Sequence, residues 1–247
     1  MTTTAQDLAE QAETRTTPLA GPGERYAGYG VMGLPFASGH YLAFRRFPRT
    51  PFGRPYTSVW YRDPDGVWTF FVNAPAAESC PRYFDAAISA SIRTEIALTW
   101  TGPSRVVLEI PGWMAWTVEL ERSAPTALMT AMARLMPGPA WNSRAVLAAM
   151  SRMAGPMLGA GRIRLTGSTP NGQWFMAGPR RVWGIASSTA VVDGTDLGRP
   201  GPLPEQTRLG DFWLPQTGLF MVGETGFEPF DPARHRTARP ALVRAAR

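Results

Sequence analysis

Turn-forming residues interrupt this chain so often that it has room for many short strands and few helices. Of its 247 residues, 25 are glycine and 24 proline, about 20% against a usual ~12%. The turns are specific. Asp63-Pro64-Asp65-Gly66 separates two apolar-rich stretches, 57–62 and 67–73, and Asp-Gly accepts the positive φ of a tight hairpin. Pro170-Asn171-Gly172 and Asp193-Gly194 punctuate the C-terminal half in the same way.

Between turns the pattern has period two. Ile92, Ile96, Leu98 and Trp100, then Val106, Leu108 and Ile110, then Trp116, Val118 and Leu120 share one face of a meander over 91–121. Arg93, Glu95, Arg105, Glu109, Glu119 and Glu121 share the other, where cross-strand ion pairing on a wet face explains them better than catalysis. On 40–47, Tyr41, Ala43 and Arg45 alternate with Leu42, Phe44 and Arg46.

One segment breaks this rule. Residues 123–159 have helical spacing, with Ser123 and Asn142 or Ser143 as N-caps, Pro137-Gly138-Pro139 as a stop and Gly155-Pro156 as a second break. They hold six of the eleven methionines. The expected fold is therefore mainly β, a β-rich α+β domain: a barrel or two curved antiparallel sheets with a helical hairpin inserted mid-chain. Its parts are a disordered polar leader over 1–24, with at most one helical turn at 6–12, a β half over 25–122, the insert over 123–159, a β half over 160–231 and a solvated basic tail over 232–247.

Charge narrows the partners. All 25 basic residues are arginine, and five lie in the last sixteen positions. Residues 1–231 carry 20 arginines against 19 acids, so five of the six net positive charges belong to the tail. A balanced body argues against a basic groove for nucleic acid. Without lysine, Schiff-base catalysis and P-loop phosphate binding are excluded. One cysteine, Cys80, and two histidines, His40 and His235, give no metal-ligand cluster. The expectation is no metal and no cofactor. Gly28-Tyr-Gly30-Val-Met-Gly33 spells a dinucleotide fingerprint, but no apolar strand precedes it and Pro35 stands where the phosphate-binding helix would begin. No apolar run reaches eighteen residues and the N-terminus has no h-region, so a cytoplasmic protein without a transmembrane segment is expected.

What remains is a set of polar residues in aromatic surroundings. Tyr83, Asp85 and Asp211 are the candidate acids and His40 the candidate base; a carboxyl group held among apolar groups keeps its proton and can act as a general acid. For Asp85 and Asp211, capping of nearby backbone amides is the competing reading. Cys80, beside Arg82, is a candidate nucleophile set against a buried structural thiol. Met132, Met136, Met150 and Met153 of the insert, with Trp100, Trp116, Trp174 and Trp183, are candidate walls of a ligand cavity, although their spacing also fits ordinary core.

The two β halves, the paired Pro-Asp-Gly-Val-Trp (64–68) and Pro-Asn-Gly-Gln-Trp (170–174) hairpins, and the aromatic interior together resemble the lipocalin-like superfamily that includes carotenoid hydratases and AttH-type proteins. That resemblance implies binding of an apolar small molecule in a β cavity, with cofactor-independent hydratase, cyclase or isomerase chemistry. The alternative is a non-enzymatic interaction module that presents the methionine helices and the arginine tail. Self-association into a homo-oligomer is compatible with either.

Overall fold

The structure, a computed structural model, describes residues 3–15, 17, 19 and 21–243. The chain opens with helix α1 (Ala5–Thr14), followed by strands β1 (Glu24–Pro35), β2 (Tyr41–Arg49), β3 (Tyr56–Arg62) and β4 (Trp68–Val72). A short helix α2 (Pro81–Phe84) leads to β5 (Ala90–Arg93), β6 (Ala97–Gly102), β7 (Arg105–Ile110) and β8 (Met114–Glu121). The insert contributes α3 (Ala124–Leu135), a 3₁₀ turn at Gly138–Asn142 and α4 (Arg144–Leu158). Then come β9 (Thr166–Ser168), the long β10 (Trp174–Val192), β11 (Thr195–Asp196), β12 (Arg208–Leu209), β13 (Phe212–Trp213), β14 (Leu219–Phe227) and β15 (Leu242–Val243). The fold is mainly β.

Among the described residues, thirteen strands form one sheet whose main path runs β15-β5-β4-β3-β2-β1-β14-β10-β8-β7-β6. β5 and β6 stand near opposite ends of that path, yet only Thr94, Glu95 and Ile96 separate them. Four virtual bonds span at most about 14 Å, so the sheet has to curl until its two edges nearly meet. The expected single strand over 91–100 is thus two strands, one pairing in parallel with β4 and the other antiparallel with β7.

The curl defines two cores. The first collects the inward side chains of nearly every strand, among them Tyr29, Val31, Phe44, Val59, Val106, Leu108, Trp116, Val118, Trp183 and Phe220. The second lies on the outer face of β1–β4, where Tyr26, Tyr41, Tyr56, Trp60, Trp68 and Phe70 meet Cys80, Tyr83 and Phe84 from α2, Phe175, Phe227 and Leu203, Leu209 and Leu214. Strand parity makes this division. Leu42 and Phe44 point into the curl and Tyr41 and Ala43 out of it.

Three expectations fail on local physics. Residues 5–14 are helical rather than part of a disordered leader, because Thr4 and Asp7 form a capping box and Ala5 and Ala9 bury against the first core. Glu13 then ties the helix down through both oxygens to Arg46, at 2.8 Å each, and through Oε1 to the Tyr29 hydroxyl at 2.9 Å. The tail is attached as far as residue 243: Arg239 donates to the Asp85 carboxylate at 2.9 Å and β15 pairs with β5, while Arg244 and Arg247 lie outside the described residues. Pro156 sits inside α4 instead of ending it. The helix stops at Gly159, whose φ of +60° closes the turn.

The Gly28–Gly33 stretch lies within strand β1, not in a strand-to-helix turn. A Cβ on Gly28 would lie 1.9 Å from the Arg46 carbonyl oxygen and one on Gly30 2.1 Å from that of Phe44. These glycines let β1 approach β2 closely, which accounts for them without a nucleotide.

Candidate functional site

Against the second core lies a cavity of about 100 Å³. Its wall is built from the outward residues of β1–β3 (Tyr26, Arg45, Phe47, Tyr56, Trp60), from Cys80, Tyr83 and Phe84, from Phe175 and Ala177 to Pro179 on β10, from Phe212, and from Met221, Glu224, Thr225 and Phe227 on β14. Rings dominate it. Trp60 stacks on Phe70 at 4.3 Å, and Tyr83 stacks on Phe227 at 3.6 Å with 9° between planes. Such packing fixes the wall and leaves few polar atoms facing the space.

Besides Glu224, paired with Arg180 at 3.6 Å, and Thr225, which donates to the Met176 carbonyl at 3.2 Å, the polar groups of the wall form two sets. At one side the buried Tyr26 and Tyr83 hydroxyls are 2.7 Å apart, and Tyr83 donates to Glu24 Oε2. Its proton being so directed, Tyr26 is the donor of the pair. Glu24 also takes two bonds from Arg82, at 2.9 and 2.6 Å. Burial alone raises the Glu24 pKa, but the Arg82 and Tyr83 hydrogen bonds and the Arg82 charge hold the carboxyl below the ordinary glutamate value. Burial pushes the Tyr26 and Tyr83 phenols far up, so both stay neutral donors.

The second set is Arg45, Tyr56 and Cys80. The Cys80 sulfur lies 3.4 Å from the Tyr56 hydroxyl, and burial raises its thiol pKa, which favours the inert form over a thiolate nucleophile. Arg45 is 5% exposed. Burial brings its guanidinium down to about 10, which leaves it charged at neutral pH. Nη1 donates to the carbonyls of Val31 and Phe44 and Nη2 to that of Met32. The guanidinium stacks over Trp60, 4.6 Å from the ring centroid.

Of the residues singled out in the sequence, Tyr83 and Cys80 line this cavity and the others do not. His40 is at the start of β2, bonded to Ser38 Oγ at 3.0 Å and stacked on Tyr61. Asp85 pairs with Arg239. Asp211 pairs with Arg164 and accepts from the Ser168 amide at 3.1 Å. Trp116 and Trp183 belong to the first core and Trp100 packs against it; Trp174 donates to Thr166 Oγ1 at 2.8 Å. Met150 is buried in a satellite core under α4, Met136 packs against that core, Met132 is half-buried, and Met153 is 47% exposed. The methionines that do reach the cavity are Met32 and Met221, with Met129 and Met157 of the insert packed in the same cluster.

Sequence reasoning missed Arg45, Tyr26 and Tyr56. A signal existed for Arg45: alternation places it on the same face as Tyr41 and Ala43, where a charge is out of pattern.

Among the described residues, no group of three or more His, Cys, Asp or Glu side chains could hold a metal ion, and no helix is long and apolar enough to cross a membrane. Among solved structures the chain is similar to an acetoacetate decarboxylase from Legionella pneumophila subsp. pneumophila str. Philadelphia 1, at 8% identity, with 94% of this chain and 96% of that one covered and a TM-score of 0.39. No protein-family model matches the chain and no curated protein matches it. The functional reading therefore rests on the cavity.

Proposed function

We propose that this protein binds a small, mostly apolar molecule in the cavity between β1–β3, α2 and the β10–β14 pair. The observation that supports it is an aromatic-walled space with a few convergent polar groups, the usual form of a small-molecule site. Its size sets the scale. About 100 Å³ is below the ~300–1,000 Å³ of drug-sized pockets and nearer the ~150 Å³ cavity that accepts benzene. A ligand of about six non-hydrogen atoms suits it better than a carotenoid or a polyketide.

Any chemistry in this site is cofactor-independent acid–base work of the lyase or isomerase kind, within a lipocalin-like frame. Tyr83 is the group to deliver or hold a proton, because its hydroxyl sits between the Tyr26 phenol and the Glu24 carboxylate. Methionine methyl groups give a direct test. In a protein labelled with ¹³C-methyl methionine, titration with small apolar ligands should shift Met32 and Met221 and leave Met153 in place. Ligands that move no methionine signal, or move Met153 instead, contradict the proposal.

A second reading keeps one observation of its own. Leu128, Leu135 and Met153 on the insert are 51%, 84% and 47% exposed, more apolar surface than a solvated helix pair requires. It predicts concentration-dependent association in sedimentation, and a monomer at every concentration retires it.

A further inference from the structure

The cavity holds a buried cation without a counter-ion. Arg45 is nearly inaccessible, and among the described residues no carboxylate lies within ion-pairing distance of it, whereas Arg46 next to it pairs with Glu13. A guanidinium kept charged among Trp60, Phe212 and Tyr56 is an arrangement that proteins ordinarily complete with an anion.

The hydrogen bonds show which edge is left. A guanidinium presents five N–H groups. Arg45 spends two from Nη1 and one from Nη2 on the carbonyls of Val31, Phe44 and Met32. Two of these carbonyls lie where the β1 pairing slips, between Val31 and Gly33 against β14 and between Tyr29 and Leu34 against β2. One edge of Arg45 therefore staples a bulge. The other edge, Nε–H with the second Nη2–H, has no acceptor among the described residues. That same edge grips a carboxylate elsewhere in this protein: Arg46 uses Nε and Nη2 on Glu13, and Arg82 uses Nε and Nη2 on Glu24.

We infer that the ligand of this cavity carries a carboxylate, which docks on the Nε/Nη2 edge of Arg45 while a short apolar body packs among the aromatic rings. The class is a short-chain or small cyclic monocarboxylate. The assignment rests on the cavity-binding reading above and adds to it the sign and geometry of the head group. A planar, two-oxygen anion matches the fork of the guanidinium. The stack on Trp60 holds that fork in place, and the staple to the bulge prevents it from swinging out to solvent. Cys80 and Tyr56 at the same wall are neutral when buried, and the carboxylate that also lines the cavity, Glu224, is paired with Arg180 at 3.6 Å.

Butyrate and 2-pentanone test the inference, because they differ only in an oxygen anion replaced by a methyl group. Binding is followed on the Met32 and Met221 methyl signals of the full-length protein. The expected result is that butyrate binds at least tenfold tighter than 2-pentanone, that Arg45→Gln abolishes this preference, and that Arg45→Lys keeps part of it. If Arg45→Gln does not fold, the wild-type comparison and the lysine variant still decide. Equal or tighter binding of 2-pentanone at the same methyl groups overturns the carboxylate while leaving the cavity site intact. A preference for butyrate that survives in Arg45→Gln also overturns it. Failure of both probes to move either methyl group overturns the inference together with the site.

Discussion

The hydroxyl of Tyr83 donates to Glu24 Oε2 from a ring stacked on Phe227, so one side chain joins the cavity wall to a carboxylate at the edge of the barrel. Glu24 is held in addition by Arg82 from the same turn of α2. Residues 58 and 59 positions apart thereby lock β1 to α2. The consequences are open to measurement.

The first concerns acid. Glu24 has a folded pKa below its ordinary value of 4.5, and so does Glu13, through its Arg46 partner. A depressed carboxyl stabilises the fold fully above the unfolded pKa and loses that contribution as pH falls through the folded one. Urea unfolding should therefore show constant stability from these groups near neutrality and a decline below about pH 4.5. Glu24→Gln should flatten part of that decline, and an unchanged slope would mean the pair contributes nothing to acid sensitivity.

Removing the Tyr83 oxygen orphans the Tyr26 hydroxyl and leaves Glu24 to Arg82 and Gln173. Tyr83→Phe keeps the stack on Phe227 but strips the Tyr26 hydroxyl of its acceptor and Glu24 of a donor. A buried polar group left unpaired costs about 1–3 kcal/mol, so the urea midpoint should fall with the m-value unchanged. A variant as stable as the parent would show that water replaces the lost bonds.

Glycine substitutions separate close approach from nucleotide binding. Gly28→Ala places a methyl group 1.9 Å from a backbone oxygen that cannot move alone, and should destabilise by about 2–4 kcal/mol. Gly138→Ala meets nothing within 4 Å and should stay within about 0.5 kcal/mol of the parent. Thermal scans of both variants, with and without NAD, check this; protection by NAD would revive the fingerprint reading of 28–33.

These cases also mark how far the sequence could be read. The meander over 97–121, the Asp63–Gly66 hairpin and the capped helices of the insert were legible because each is specified locally, by alternation, by a positive φ or by a cap. A curved sheet was expected too, but which distant segments cover each of its faces lay beyond local rules. Parity shows that Tyr41, Ala43 and Arg45 share a face but not that this face is covered by α2, Phe175 and Phe212, which come from three distant segments. The candidate tryptophans followed the same logic in reverse: their strand spacing fits packing inside the curl, and that is where Trp116 and Trp183 lie. The insert's methionines stand close to the site without lining it, since Met129 and Met157 back up Met32 and Met221.

Only one turn of helix α1, at 6–12, was legible, because its buried face is mostly alanine, which leaves little apolar stripe to detect. Ala9 is 1% exposed, so Ala9→Arg forces a charged chain into the first core and should cost about 2–4 kcal/mol. Ala12→Arg, on the half-buried edge of the same helix, should cost less. Equal effects in chemical denaturation would indicate that α1 is not docked in solution.

Cys80 supplies a probe of the second core as a whole. Its thiol is 4% exposed, is raised in pKa by burial and sits behind Tyr56, while only a thiolate reacts at speed. At pH 8 a disulfide reagent should leave the native protein unlabelled over minutes and label one thiol per chain promptly in urea. If native labelling occurs only through opening of the second core, its rate should track the population of the open state. Tyr83→Phe, which loosens that core, should then label faster in proportion to its loss of stability, whereas Ala12→Arg, on the opposite side of the sheet, should not. Prompt stoichiometric labelling of the native parent would place Cys80 in contact with solvent and remove it from the cavity wall.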